Sequence, residues 1–230
     1  MCGRFTLRSS MADVAQAFGV TPEAAAPPLF NIAPTQTVAA VRAGTGGERE
    51  LCQLRWGLIP SWADDAAIGS RLINARAETV ATKPAFRQAF KSRRCLVVAD
   101  GFYEWQKTGR RKQPFYIRLK DDRPFGFAGV WERWSKAGQP VESCTIITTE
   151  ANELVSPIHD RMPVIVPPEA YDLWLSPDTA EIERLQSLLR PYRAGEMTAY
   201  PVGTQVNGPS YSAPDCIRPQ AAAAPTLFDD

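Results

Sequence analysis

The chain has 230 residues, 44% of them apolar, enough to bury one sizeable core with at most a small appended subdomain. Its net charge of +1 excludes the broad basic signature of a duplex-DNA binder. No stretch approaches the roughly 18 to 20 uncharged apolar residues that cross a bilayer, and MCGRFTLRSS lacks the apolar run of a signal peptide, so the expectation is a soluble cytoplasmic domain without membrane contact.

In chain order, Ser10 followed by MADVAQAF predicts a capped short helix with Met11, Val14, Ala15 and Phe18 on one face. After the Pro-rich TPEAAAPPLF, QTVAAVRA and ERELCQLRW read as two strands of a hairpin around GTGG, a turn that lacks the GK[ST] ending of a phosphate loop. LIPSWADDAAIGS is a long irregular connection, the kind that often carries function. The spacing predicts a helix over 84–91, with Pro84 in its first turn and Phe86 and Phe90 on one face. Strand signals follow at CLVVADGFYEW, QPFYIRLK, FGFAGVWE, SCTIITT, MPVIV and MTAYPV, with KTGRRK as a basic hairpin turn and helices at PEAYDLWL and PDTAEIERLQSLLRPY. Many strands with short turns and few helices predict an α+β fold: one domain over residues 1–217 around a mainly antiparallel, barrel-like β core, followed by a low-complexity, loosely attached tail over 218–230.

Charge is unevenly spread. Residues 71–112 hold eleven Lys and Arg against three acids, a local net of +8, while residues 150–230 hold five Arg against twelve acids, a net of −7. That asymmetry points either to a basic groove in mid-chain or to ordinary solvated faces.

Five cysteines without a CxxC pair indicate free thiols in a reducing compartment, and with one histidine they give no metal centre. Cys52, Cys95 and Cys144 sit in apolar strand runs and read as packing residues. Cys2 has no such context. Removal of Met1 turns it into a 1,2-aminothiol whose α-amine, at a reference pKa of about 7.7 to 8.0, is partly neutral near pH 7 and attacks aldehydes. The neighbouring thiol then closes a thiazolidine. His159 is the only histidine and the natural proton shuttle, or a structural side chain. Glu104, between Phe102, Tyr103 and Trp105, is either a buried carboxyl kept protonated as a general acid or an outward carboxylate on an alternating strand. Asn74, between Arg71 and Arg76, is suited to holding a sugar hydroxyl or to capping a helix over ARAET.

Taken together, MCGRF, FNIAPTQ, WGLIPSWA, INARAET, ADGFYEW and IHDRMPV, in this order from Cys2 to about Ile217, closely resemble the SOS-response-associated peptidase (SRAP) family of abasic-site processing proteins. The resemblance implies that Cys2 forms the DNA adduct, with Asn74, Glu104 and His159 as catalytic companions. It further implies that Arg4, Arg76 and Arg161 hold phosphates of single-stranded DNA containing abasic sites. Trp62 matches an aromatic beside the lesion, although Ala63 stands where some relatives have a second Trp. No cofactor is implied, and a monomer, nucleoid-associated when on damaged DNA, is the expectation. Two rivals stand beside this reading: a cysteine or N-terminal-nucleophile peptidase using Cys2 and His159, and a noncovalent single-strand binding module.

Overall fold

The computed structural model describes residues 2–109, 111–136, 138–177 and 182–220. Along the chain run β1 (Phe5–Leu7), α1 (Met11–Phe18), β2 (Leu29–Ile32), β3 (Thr37–Ala43), β4 (Arg49–Trp56), β5 (Asn74–Arg76), α2 (Arg87–Ser92), β6 (Arg94–Ala99) and β7 (Gly101–Thr108). They continue with β8 (Arg111–Leu119), β9 (Phe125–Trp134), β10 (Val141–Glu150), β11 (Arg161–Pro163), β12 (Ile165–Val166), α3 (Tyr171–Leu175), α4 (Ile182–Ser187) and β13 (Met197–Pro201). The expected α+β class with a barrel-like core is what the chain adopts. Strands β4, β3, β6, β9 and β10 pair in that order, and β10 also pairs with β4, which closes a five-stranded barrel. Only the pairings of β10 with β4 and β5 are parallel, so the core is mainly antiparallel. Closure removes the open edges that would otherwise template pairing with another chain.

A second, antiparallel sheet runs β13–β8–β7–β1–β2. The predicted run CLVVADGFYEW spans both sheets, because it breaks at Asp100: β6 ends in the barrel and β7 begins in the other sheet. Asp100 is fully buried and accepts from Thr6 Oγ1 at 2.6 Å, Arg8 N at 2.6 Å, Ser9 N at 2.7 Å and Ser9 Oγ at 2.9 Å. From the point where the chain leaves one sheet for the next, this side chain thus satisfies the backbone amides of Arg8 and Ser9 just after β1. Gly101 has no alternative at this junction: a Cβ there would lie 2.1 Å from the Tyr116 hydroxyl.

Local expectations translate as follows. α1 starts with Ser10 in a capping box with Asp13, ends at Gly19 at φ 64°, and buries Met11, Val14, Ala15 and Phe18. The predicted hairpin is β3–β4, in register from Thr37↔Arg55 to Ala43↔Arg49. The helix expected over 84–91 is shorter and later, Arg87–Ser92, because Pro84 sits in the turns before it; Phe86 and Phe90 are buried as their spacing indicated. Likewise PDTAEIERLQSLLRPY keeps only Ile182–Ser187 as α-helix among the described residues. The barrel core is aromatic at its centre, with Phe5 against Trp56 at 5.1 Å and Phe127 at 5.8 Å between ring centroids. Pro219 bridges Val202 and Gln220 N donates to Pro201 O at 2.8 Å, so ordered chain extends beyond residue 217; the tail proper, 221–230, lies outside the described residues. Among the described residues no helix is long and apolar enough to cross a membrane.

Candidate functional site

Strand register explains why residues so far apart in sequence meet. β1 lies antiparallel to β7 with Phe5 opposite Phe102 and Thr6 opposite Gly101, and Tyr103 N donates to Arg4 O at 3.0 Å. Carried toward the amino terminus, that register brings Cys2 alongside Glu104, whose charge acts on the thiol. From the other side, β5 lies along β10, and Asn74 Nδ2 donates to Cys2 O at 2.8 Å. Two sheets therefore hold Cys2: β7 supplies the carboxyl and β5 the amide. The loop from β10 to β11 adds His159, which lines with Glu104, Trp105, Lys107, Lys112 and Asn207 a pocket of about 390 Å³.

Cys2 is fully buried and does not line that pocket. Burial pushes its thiol pKa well above the usual range, and Glu104 adds to the shift. The thiol is accordingly protonated at rest. Glu104 is 2% exposed, and burial pushes its carboxyl up to about 7. This is the buried alternative of the two open for Glu104. Its neighbours Tyr103 and Trp105 point into a separate aromatic cluster with Tyr116. The ring of His159 accepts from Arg161 N at Nδ1 at 3.0 Å, which leaves the neutral ring's proton on Nε2. Burial lowers its pKa, so the neutral form is favoured despite Asp160 Oδ1 lying 2.9 Å from Nδ1. Asn74 caps no helix; it is the first residue of β5.

The arginines divide. Arg4 donates to Asn31 Oδ1 at 3.0 Å, Val206 O at 2.8 Å and Asn207 O at 3.3 Å, tying the carboxy-terminal segment to β1 and β2. Arg161 forms a bidentate pair with Glu78 at 2.6 and 3.0 Å and donates to Thr148 O at 2.6 Å. Arg76 is exposed on β5, across β10 from Arg161. Trp62 stands apart from the pocket. Its loop is pinned near the β9–β10 turn by Trp134 Nε1 to Ala63 O at 2.7 Å and Lys136 Nζ to Trp62 O at 2.9 Å, which leaves the indole 54% exposed.

Sequence reading missed Asn31, Glu78, Asp100 and Asn207. Asn31 donates to Val206 O, Gly208 O and Tyr211 O, and Asn207 Oδ1 accepts from Trp105 Nε1 at 2.8 Å. Only Asn31 carried a signal, a polar residue inside the apolar run LFNIA. Among the described residues no group of three or more His, Cys, Asp or Glu is placed to hold a metal ion.

A small β-barrel that holds a buried thiol between an amide and a carboxyl, with an imidazole in the pocket beside that carboxyl, defines a site equipped for nucleophile-and-proton-transfer chemistry. The chain belongs to the SOS response associated peptidase (SRAP) family, whose model matches residues 1–209. It is 46% identical over 222 residues to abasic site processing protein YoqW of Bacillus subtilis (strain 168), covering 94% of this chain and 99% of that protein. It is 36% identical over 205 residues to abasic site processing protein HMCES of Gallus gallus, covering 77% of this chain and 60% of that one. A crystal structure of a protein from Bacteroides thetaiotaomicron superposes with a TM-score of 0.85 at 27% identity, over 95% of this chain and 100% of that one.

Proposed function

We propose that the protein processes abasic sites in single-stranded DNA by capturing the ring-opened sugar aldehyde on Cys2 once Met1 has been removed. The observation that carries this reading is the fixing of Cys2 O by Asn74 Nδ2 at 2.8 Å beside a buried carboxyl with a pKa of about 7. Glu104, about half of it protonated at neutral pH, donates its proton to the sugar ring oxygen and opens the ring. The Cys2 amine attacks C1′, and loss of one water gives an imine; Glu104 and His159 move the protons. The thiol then adds to the imine carbon, its proton passes to nitrogen, and a thiazolidine closes. The raised thiol pKa supports this order, because a protonated thiol is a poor first nucleophile whereas an imine carbon held beside it needs little activation. Arg76 and Arg161 engage phosphates, Trp62 contacts DNA away from the lesion, and Arg4 positions the segment that carries Asn207. The imine also permits β-elimination of the 3′ phosphate, a minor lyase activity.

A Cys–His peptidase dyad is less well supported, since it needs a thiol shifted downward and burial shifts Cys2 upward. The test is to incubate Met1-free protein with an abasic single-stranded oligonucleotide and run denaturing gels and intact mass. The expected product is heat-stable and equals protein plus oligonucleotide minus one water. Cys2→Ser is expected to retain only a labile imine trapped by borohydride. A heat-stable adduct surviving in Cys2→Ala overturns the proposal.

A further inference from the structure

Strands β7 and β8 form a hairpin that brings two lysines to the pocket lined by Glu104 and His159. Lys107 lies directly opposite Lys112, and Thr108 opposite Arg111. Lys107, Arg111 and Lys112 are all exposed, and Lys107 and Lys112 line the same pocket as Glu104 and His159. Directly opposed residues on an antiparallel pair have Cβ atoms about 4.5–5.5 Å apart on one face, and like charges there destabilise the pairing. Among the described residues neither lysine has an ion-pair partner, although Arg8, Arg42, Arg49 and Arg161 elsewhere in the chain all have one. Below the two lysines on the same face are Trp105 and Pro114, and the Trp105 indole is held by its hydrogen bond to Asn207. The two opposed lysines and the fixed Trp105 thus line one pocket together with Glu104 and His159.

We propose that the Lys107–Lys112 cross-strand pair is a phosphate clamp: it receives the phosphodiester of a nucleotide flanking the abasic sugar, and holds the strand against the pocket. The assignment rests on the abasic-site reading for what lies in the pocket, but the clamp itself is a claim about binding single-stranded DNA. A phosphate between the lysines replaces their mutual repulsion with two attractions, so a pairing that is unfavourable in the free hairpin becomes favourable in the complex. Phosphate contacts of this kind position a strand without reading its sequence.

The clamp makes stability and binding respond in opposite directions, which a merely structural role does not. Lys112→Glu converts a like-charged pair into an opposite-charged one and is expected to raise Tm by about 1 to 2 °C. The same substitution is expected to weaken binding of fluorescein-labelled oligo(dT) without any lesion by at least about tenfold at low salt. In Lys107→Gln/Lys112→Gln, the slope of log affinity against log salt should fall in magnitude by about 0.7, the contribution of the one single-strand phosphate that the clamp neutralises. An unchanged affinity and an unchanged slope in the double variant overturn the clamp, as does weaker binding of Lys112→Glu accompanied by a drop in Tm. Because the probe has no abasic site, the outcomes separate. A wild type that binds oligo(dT) through the lysines yet forms no adduct refutes the abasic-site reading alone; adduct formation with coincident salt slopes refutes the clamp alone.

Discussion

Burial leaves Glu104 about half protonated at neutral pH, and that has a measurable cost. A carboxyl raised from 4.5 to about 7 by burial binds its proton more tightly folded than unfolded. Its stabilising contribution is complete below about pH 4.5 and is lost as pH rises through about 7. The change is on the order of 3 kcal/mol across that window. Glu104→Gln is expected to abolish this fall, which urea unfolding at pH 5 and pH 8 would measure. It should also slow adduct formation by about 10² or more through loss of the general acid. In the wild type, a protonated Glu104 and a neutral amine with a pKa of about 7.7 to 8.0 are both required, so the adduct rate should peak between about pH 7 and 8. A rate rising monotonically to pH 9 would remove Glu104 from the acid role. The burial of Glu104 was not legible in sequence: alternation along GFYEW gives its face, but only packing tells which face is wet.

At the scale of elements, β10 joins scaffold to site. Its first half closes the barrel against β4 and β9, and its second half carries β5 on one edge and β11 on the other. That pairing sets Arg76 and Arg161 on the two edges of β10, at its Thr148 and Glu150 positions. Glu78 holds Arg161 in a bidentate pair, so a phosphate engaging Arg161 as proposed competes with a carboxylate. Glu78→Gln should therefore strengthen noncovalent binding of single-stranded DNA several-fold, measured by anisotropy; weaker binding would show that Arg161 needs Glu78 for its position. On the barrel's far side, Arg94 is 2% exposed and donates to the backbone oxygens of Phe90, Lys91, Trp174 and Ser176. One guanidinium thus satisfies carbonyls at the ends of both α2 and α3. Arg94→Met leaves those oxygens unpaired and is expected to cost roughly 3 kcal/mol in denaturant unfolding without changing DNA affinity. A basic residue at the start of an apolar strand gave no hint of this.

For the whole molecule, the decisive arrangement is that two sheets share one continuous segment, 94–108, broken by Asp100. The barrel supplies stability through closure, and the second sheet brings the amino terminus to the barrel's end. Asp100→Ala removes four hydrogen bonds from a fully buried position and is expected to destabilise the protein by about 3 to 5 kcal/mol. Because Thr6, Arg8 and Ser9 lose their anchor, hydrogen exchange should rise in residues 3–9 more than in β3 and β4. Equal exchange in both regions would mean that the sheets do not depend on this junction.

What the sequence determined by itself is what depends on near neighbours or on composition. The α1 cap and its apolar face, the β3–β4 hairpin and the preponderance of strands all follow from spacing within about ten residues, where helix and strand periods act directly. The ordered motifs carried the family. What only the tertiary structure decided is what depends on contacts across many residues: barrel closure through β10, the register that sets Cys2 beside Glu104, the burial that raises the pKa of that carboxyl, and the opposition of Lys107 to Lys112. The physical reason is common to all four. A pKa or a cross-strand pair is set by the groups packed around it, and packing is fixed by pairings between segments that no local pattern relates.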